Sequence, residues 1–194
     1  MKTKLICFEG PNGVGKSTIL NNLKECFNVE GISCRTFKDS EYPEMIEVRK
    51  NIRKGVISEP EEIINMVAQA RLQVYSKYLD LRDEPGFVLL DRGYYTSAVL
   101  QFQKDFSISR IIEKNLRLGI PIPNQTFILM APLDVLIKRI SERARDGFVG
   151  YSSEFLNRQR TGYLEIAKNY EECKLIDNSG KTDPTIREIR RSEW

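Results

Sequence analysis

The segment Gly10-Pro11-Asn12-Gly13-Val14-Gly15-Lys16-Ser17-Thr18 fits the pattern G-x-x-x-x-G-K-[ST]. Glycines let a backbone turn tightly and aim successive N–H groups at phosphate oxygens. A helix opening at Gly15 adds the positive end of its dipole to the same point. Lys16 is then placed to reach the β- and γ-phosphates of a nucleoside triphosphate, and the Ser17 hydroxyl to ligate Mg²⁺. A second segment, Phe87-Val88-Leu89-Leu90-Asp91-Arg92, ends an apolar run in a carboxylate and a guanidinium. Asp91 can hold Mg²⁺ directly or through water, and the planar Arg92 cation suits a bridge between donor and acceptor phosphates. The chain contains no histidine, which excludes Ser-His-Asp triads, His-ligated zinc and imidazole acid–base steps.

Both segments need strands to carry them. Short apolar runs at Leu5–Phe8, Ile32–Phe37, Phe87–Leu90, Thr126–Met130 and Lys174–Ile176 read as buried strands. Between them, apolar residues recur at helical spacing: Ile19, Leu20, Leu23 and Phe27; Ile63, Met66, Val67, Ala70, Val74 and Tyr78; then Val135, Leu136 and Ile140; then Phe155, Leu156, Tyr163 and Ile166. Such alternation predicts an α/β fold with a parallel sheet covered on both faces. Ligands of such sheets bind beyond the carboxyl ends of the strands. The 194 residues suffice for one domain over residues 1–194. Thirty Lys+Arg against 27 Asp+Glu give a charge of +3 without a basic block, which argues against a nucleic acid polymer as partner. The apolar stretch near the N-terminus, Leu5–Phe8, is too short for a signal peptide, and no run approaches a membrane span. Cys7, Cys26, Cys34 and Cys173 show no metal-ligand spacing and read as reduced thiols of a cytoplasmic protein.

FEGPNGVGKST, DRGYYTSAVLQ, PNQTFILMAPLDVLIKR and FLNRQRTGYLEIA together resemble the thymidylate kinases, within the nucleoside monophosphate kinases, from about Lys4 to about Glu188. The resemblance implies a P-loop NTPase fold: a five-stranded parallel sheet flanked by helices, an acceptor-binding helical region at about 38–80 and a short lid at about 141–155. It implies transfer of the ATP γ-phosphoryl group to dTMP, and a homodimer. Lys16, Asp91 and Arg92 match catalytic positions of the family. Arg49 matches the arginine that grips the acceptor monophosphate, although a solvated helix face explains it equally. Arg71 matches the arginine that reads the acceptor base; a helix-surface arginine is the alternative. Ser97 and Gln101, one turn apart, can share a face toward that base. Arg143 and Arg145 fall where the lid closes on ATP, whereas Arg139 reads as an exposed residue paired with Glu142. Arg158 matches a further family position, and Arg160 follows it. Asn178 and Ser179 match the loop that packs on adenine, or form a plain turn.

Four departures from the family pattern fall in this chain. Asn12 stands where an acidic residue contacts the acceptor sugar, Val67 where an aromatic stacks on thymine, and Lys38 where an arginine is usual. The lid is thinned to Arg145-Asp146-Gly147-Phe148-Val149. Tyr94, Tyr95 or Phe37 are candidates for a replacement stacking surface. Two further readings therefore stand beside a dTMP kinase: a kinase of a nucleoside or modified nucleotide, with Glu9 as the nearest base, and a nucleotide-binding regulator without turnover.

Overall fold

A computed structural model of the chain describes residues 3–79, 86–103, 105–144 and 151–192. Five strands, β1 (Lys4–Glu9), β2 (Cys34–Lys38), β3 (Phe87–Asp91), β4 (Gln125–Met130) and β5 (Cys173–Asp177), form one parallel sheet in the order β2-β3-β1-β4-β5. The helices are α1 (Lys16–Val29), α2 (Pro43–Arg53), α3 (Pro60–Leu79), α4 (Tyr94–Gln101), α5 (Ile108–Arg117), α6 (Leu133–Ala144), α7 (Ser153–Asn169) and α8 (Thr182–Arg191). A 3-10 turn, Asp39–Glu41, joins β2 to α2.

Strand pleating sends alternate residues to opposite faces, and in the central strands both faces are buried. Leu5, Cys7, Val88, Leu90 and Ile128 enter one core with α3, α4, α5 and α7. Ile6, Phe8, Leu89, Phe127 and Leu129 enter the other, with α1, α6 and α8. The edge strands depart from the expected continuous burial. Arg35 and Thr36 in β2 and Lys174, Leu175 and Asp177 in β5 are exposed, because an edge has a neighbour on one side only.

The helical periods hold best in α1, where Ile19, Leu20, Leu23 and Phe27 are all buried. The buried sector of α3 is rotated and wider than predicted: Ile64, Ala68, Arg71 and Tyr75 join Val67, Ala70 and Val74, while Ile63 and Met66 are only partly covered. No described helix is long and apolar enough to cross a membrane. The four cysteines are free thiols.

Candidate active site

The chain leaves β1 at Glu9 and turns through Gly10–Gly15 into α1. Gly10 has φ +137°, and a Cβ there would sit 2.3 Å from the Leu129 carbonyl oxygen. At Gly13, φ +81°, a Cβ would meet Ile140 Cγ1 at 2.8 Å. Both conformation and space demand glycine here. The loop is pinned from outside. Asn178 Nδ2 donates to the Val14 carbonyl at 2.6 Å. Arg139 donates to the carbonyls of Val14 (3.2 Å), Asn178 (2.8 Å) and Ser179 (3.1 Å). Arg139 is thus no surface partner of Glu142; it clasps the turn after β5 to the phosphate loop. Gln159 of α7 accepts from the Asn12 N–H at 2.9 Å.

Lys16 Nζ donates to the carbonyls of Gly10 (2.8 Å) and Pro11 (3.1 Å). Ser17 Oγ lies 3.4 Å from Asp91 Oδ2, brought there because Phe8 in β1 pairs with Asp91 in β3. One hydroxyl and one carboxylate, both hard oxygen donors, suit Mg²⁺ that draws its other ligands from water and phosphate. Thr18, like Ser17, is exposed at the opening of α1.

Arg92 turns the chain from β3 into α4 with φ +78°, the left-handed region. That conformation is costly for a residue with a Cβ and persists where contacts over-determine it. Its Nη2 donates to Asn12 Oδ1 at 2.7 Å. Its Nη1 donates to Gly10 O (3.3 Å), Thr96 Oγ1 (3.1 Å) and Tyr163 OH (3.2 Å). The Thr96 and Tyr163 hydroxyls in turn donate to Glu9 Oε2 at 2.5 and 3.0 Å. Glu9 Oε1 accepts from the backbone N–H groups of Gly93 (2.8 Å) and Thr96 (3.0 Å), so β1 caps the N-terminus of α4. Burial raises the Glu9 pKa, against the opposing pull of Arg92 and these hydrogen bonds. Burial pulls Arg92 down, but Tyr163, Glu9, Asp91 and Asp39 more than offset it and keep the guanidinium firmly charged.

A cavity of about 400 Å³ is lined by Asn12, Lys16, Ser17, Lys38, Asp91 and Arg92 among others. An adjoining cavity of about 440 Å³ lies among α2, α3, α4 and α7, lined by Val67, Arg71, Ser97, Gln101, Phe102 and Arg158 among others. Arg49, Thr96 and Leu100 line both. Arg71 is 1% exposed and is therefore not a helix-surface residue. It donates to Asp39 Oδ2 (2.7 Å) and Ser97 Oγ (2.6 Å). Arg49 Nη2 reaches Asp39 Oδ1 at 3.4 Å, and burial lowers the Arg49 pKa while Asp39 opposes that shift. Arg71 Nε and Gln101 Oε1 are buried with no hydrogen-bond partner among the described residues. A donor and an acceptor thus remain beside a cavity of ligand size.

A sequence model described as thymidylate kinase matches residues 8–189. A thymidylate kinase of Leptospira borgpetersenii serovar Hardjo-bovis is 31% identical over 192 residues, covering 96% of this chain and 91% of the relative. The chain belongs to the thymidylate kinase family. A thymidylate kinase of Bacillus velezensis is 24% identical, covering 97% of this chain and 93% of that one. The solved thymidylate kinase of Candida albicans superposes with a TM-score of 0.71 at 18% identity, covering 97% of this chain and 90% of that one. This last likeness concerns the fold.

Within the thymidylate kinase fold, several expected residues sit differently than their sequence position suggested. Tyr94 and Tyr95 are buried in the core, and Phe37 stacks on Tyr42 with centroids 6.1 Å apart, so none of the three lines the acceptor cavity. Lys38 pairs with Glu41 at 2.9 Å. Asn178 and Ser179 serve the loop through Val14 and Arg139. The Arg143 side chain, Arg145 and the lid segment 145–150 lie outside the described residues. Sequence reasoning missed Asp39, Thr96, Tyr163 and Gln159. Asp39 alone carried a usable signal, because it directly follows the end of a strand.

Proposed function

We propose that this chain transfers the γ-phosphoryl group of ATP to dTMP, giving dTDP and ADP. The observation that carries this reading is the junction of the two cavities at Arg49, Thr96 and Leu100. A nucleotide with its base beside Arg71, Ser97 and Gln101 brings its phosphate to Arg49 and Arg92, facing Lys16 and the phosphate loop. Arg92 bridges the two phosphates from a fixed position, and Lys16 and the loop N–H groups take up charge on the donor. Ser17 and Asp91 would hold Mg²⁺, which when bound supplies counter-charge to the phosphate oxygens.

Catalysis here is positioning and electrostatics. An acceptor phosphate is already an anionic nucleophile and needs no general base. Glu9, the nearest base for a hydroxyl acceptor, is fully buried and accepts hydrogen bonds from the Gly93 and Thr96 N–H groups and the Thr96 and Tyr163 hydroxyls; this disfavours a nucleoside kinase. Arg143 and Arg145 are assigned by resemblance to the charge on the transferring group, with 38–80 the acceptor region, 141–155 the lid and residues 1–194 one domain. By the same resemblance the working unit is a homodimer, and the cysteine pattern supports the cytoplasm as its compartment. A coupled ADP-release assay with ATP, Mg²⁺ and a panel of nucleoside monophosphates and nucleosides tests the reading. Turnover is expected with dTMP; turnover with nucleosides alone refutes it, and ATP binding without acceptor-dependent ADP points to a regulator.

A further inference from the structure

The acceptor cavity is well supplied with groups that read the edge of a base, and the one aromatic ring among its described lining residues, Phe102, lies beneath the Arg158 guanidinium. The wall from α2 and α3 is aliphatic, formed by Ile52, Ile63 and Val67. Arg71 is committed in the plane of its guanidinium by Asp39 and Ser97, and Arg49 is drawn toward Asp39 and the phosphate cavity. A heterocycle taken from water gains affinity from a planar partner against its face.

Arg158 meets that need. It projects from α7, which packs on α4 as α3 does, so the two helices bring Arg158 and Val67 to one cavity from separate elements. The residue is exposed, yet its guanidinium carbon lies 5.7 Å from the ring centroid of Phe102 and 5.7 Å from that of Phe155. Phe102 lines the acceptor cavity and Phe155 the phosphate cavity. Phe155 is itself stacked on Tyr151, with centroids 5.2 Å apart. The cation therefore rests on two rings at the rim where the cavities meet. A guanidinium is planar and weakly hydrated, so it stacks on π-systems in a way an ammonium does not.

We propose that Arg158 is the stacking residue for the acceptor base, its guanidinium plane covering one face of the heterocycle while Phe102 and Phe155 hold it in place. This rests on the reading of the cavity as a nucleotide site. The alternative for an arginine at this rim is a phosphate contact, and the two differ in what they require of the ligand. A stacking residue acts on the base whether or not a phosphate is attached.

The test is calorimetric binding of dTMP and thymidine, the latter by competition, to wild type, Arg158→Ala and Arg158→Lys without ATP. Truncating an exposed side chain leaves the fold intact. Arg158→Ala is expected to weaken both ligands by the same factor, about tenfold, and Arg158→Lys to weaken them almost as much. A loss confined to dTMP makes Arg158 a phosphate ligand and overturns the proposal. Full affinity in Arg158→Lys overturns it too, because a point charge would then suffice, as does unchanged binding in Arg158→Ala. Wild type that binds neither ligand refutes the nucleotide reading, and the stacking role with it.

Discussion

Two hydroxyls, Thr96 Oγ1 and Tyr163 OH, stand between the Arg92 guanidinium and the Glu9 carboxylate, accepting from one and donating to the other. They tie a cation that must face phosphate to an anion that cannot leave the core. Tyr163→Phe removes one of these ties, while Asn12 and Thr96 still hold Arg92. We expect kcat to fall about tenfold, the kinetic equivalent of one hydrogen bond to a charged group, with the KM for dTMP unchanged. Steady-state kinetics decides it: a rise in KM alone would mean that Tyr163 serves acceptor binding. Arg71 gives a different result. Its buried bond to Asp39 makes it structural as well as ligand-facing, so Arg71→Ala leaves the buried Asp39 carboxylate with Arg49, 3.4 Å away, as its one ion-pair partner among the described residues. Loss of one partner of a buried pair costs roughly 3–5 kcal/mol, and Arg49 should keep the loss at about 3 kcal/mol. Urea unfolding and acceptor kinetics on the same variant should show lowered stability together with raised KM; unchanged stability would show that Arg49 fully replaces it.

At the scale of elements, the joint between β1 and α4 sets the site. Glu9 satisfies the N–H groups of Gly93 and Thr96, so the helix behind Arg92 starts from a fixed point. Burial raises the Glu9 pKa above its usual 4.5. The folded chain therefore holds this proton at pH values where the unfolded chain has released it, and this group's contribution to stability falls as pH rises through that window. Against Glu9→Gln, which does not titrate, wild type should lose relative stability as pH rises from 4.5 upward. Urea titrations of both forms measure it, and a flat difference would place the Glu9 pKa at its ordinary value. The strands bearing this site were largely legible in sequence. Leu5–Phe8 and Phe87–Leu90 are continuous apolar runs because β1 and β3 are covered on both faces, and each observed strand extends them by at most one residue at either end. The β2 run, Ile32–Phe37, began early: Ile32 is only partly buried and the strand opens at Cys34, since an edge strand lacks the second partner that makes burial periodic. The polar roles of Thr96 and Tyr163 were not legible, because they depend on α4 and α7 meeting over β1, a contact between segments 67 residues apart.

Across the whole molecule, the sheet order divides the labour between the strand ends. Central β1 and β3 carry the phosphate loop, Asp91 and Arg92; edge β2 leads to Asp39 and the acceptor cavity; edge β5 leads to Asn178, which braces the loop. Sequence motifs disclosed the central part, because a phosphate loop is a local pattern, while on the acceptor side the Ser97–Gln101 turn is local and the rest is assembled from α2, α3, α4 and α7. The division has a measurable consequence. Ser17 and Asp91 line the phosphate cavity and contribute nothing to the acceptor cavity, whose polar lining includes Arg71, Ser97 and Gln101. Removing Mg²⁺ with EDTA should therefore abolish turnover and weaken ATP binding at least tenfold, because the loop and Lys16 would face the triphosphate charge without a counter-ion. The Kd for dTMP should stay within about twofold, since Arg49, Arg92 and the base-reading groups remain in place and one tenfold change is already about 1.4 kcal/mol. Paired titrations of ATP and dTMP, with and without chelator, separate the two halves of the cleft. If dTMP weakens in parallel with ATP, the acceptor phosphate shares the Ser17–Asp91 site, and the two cavities act as one.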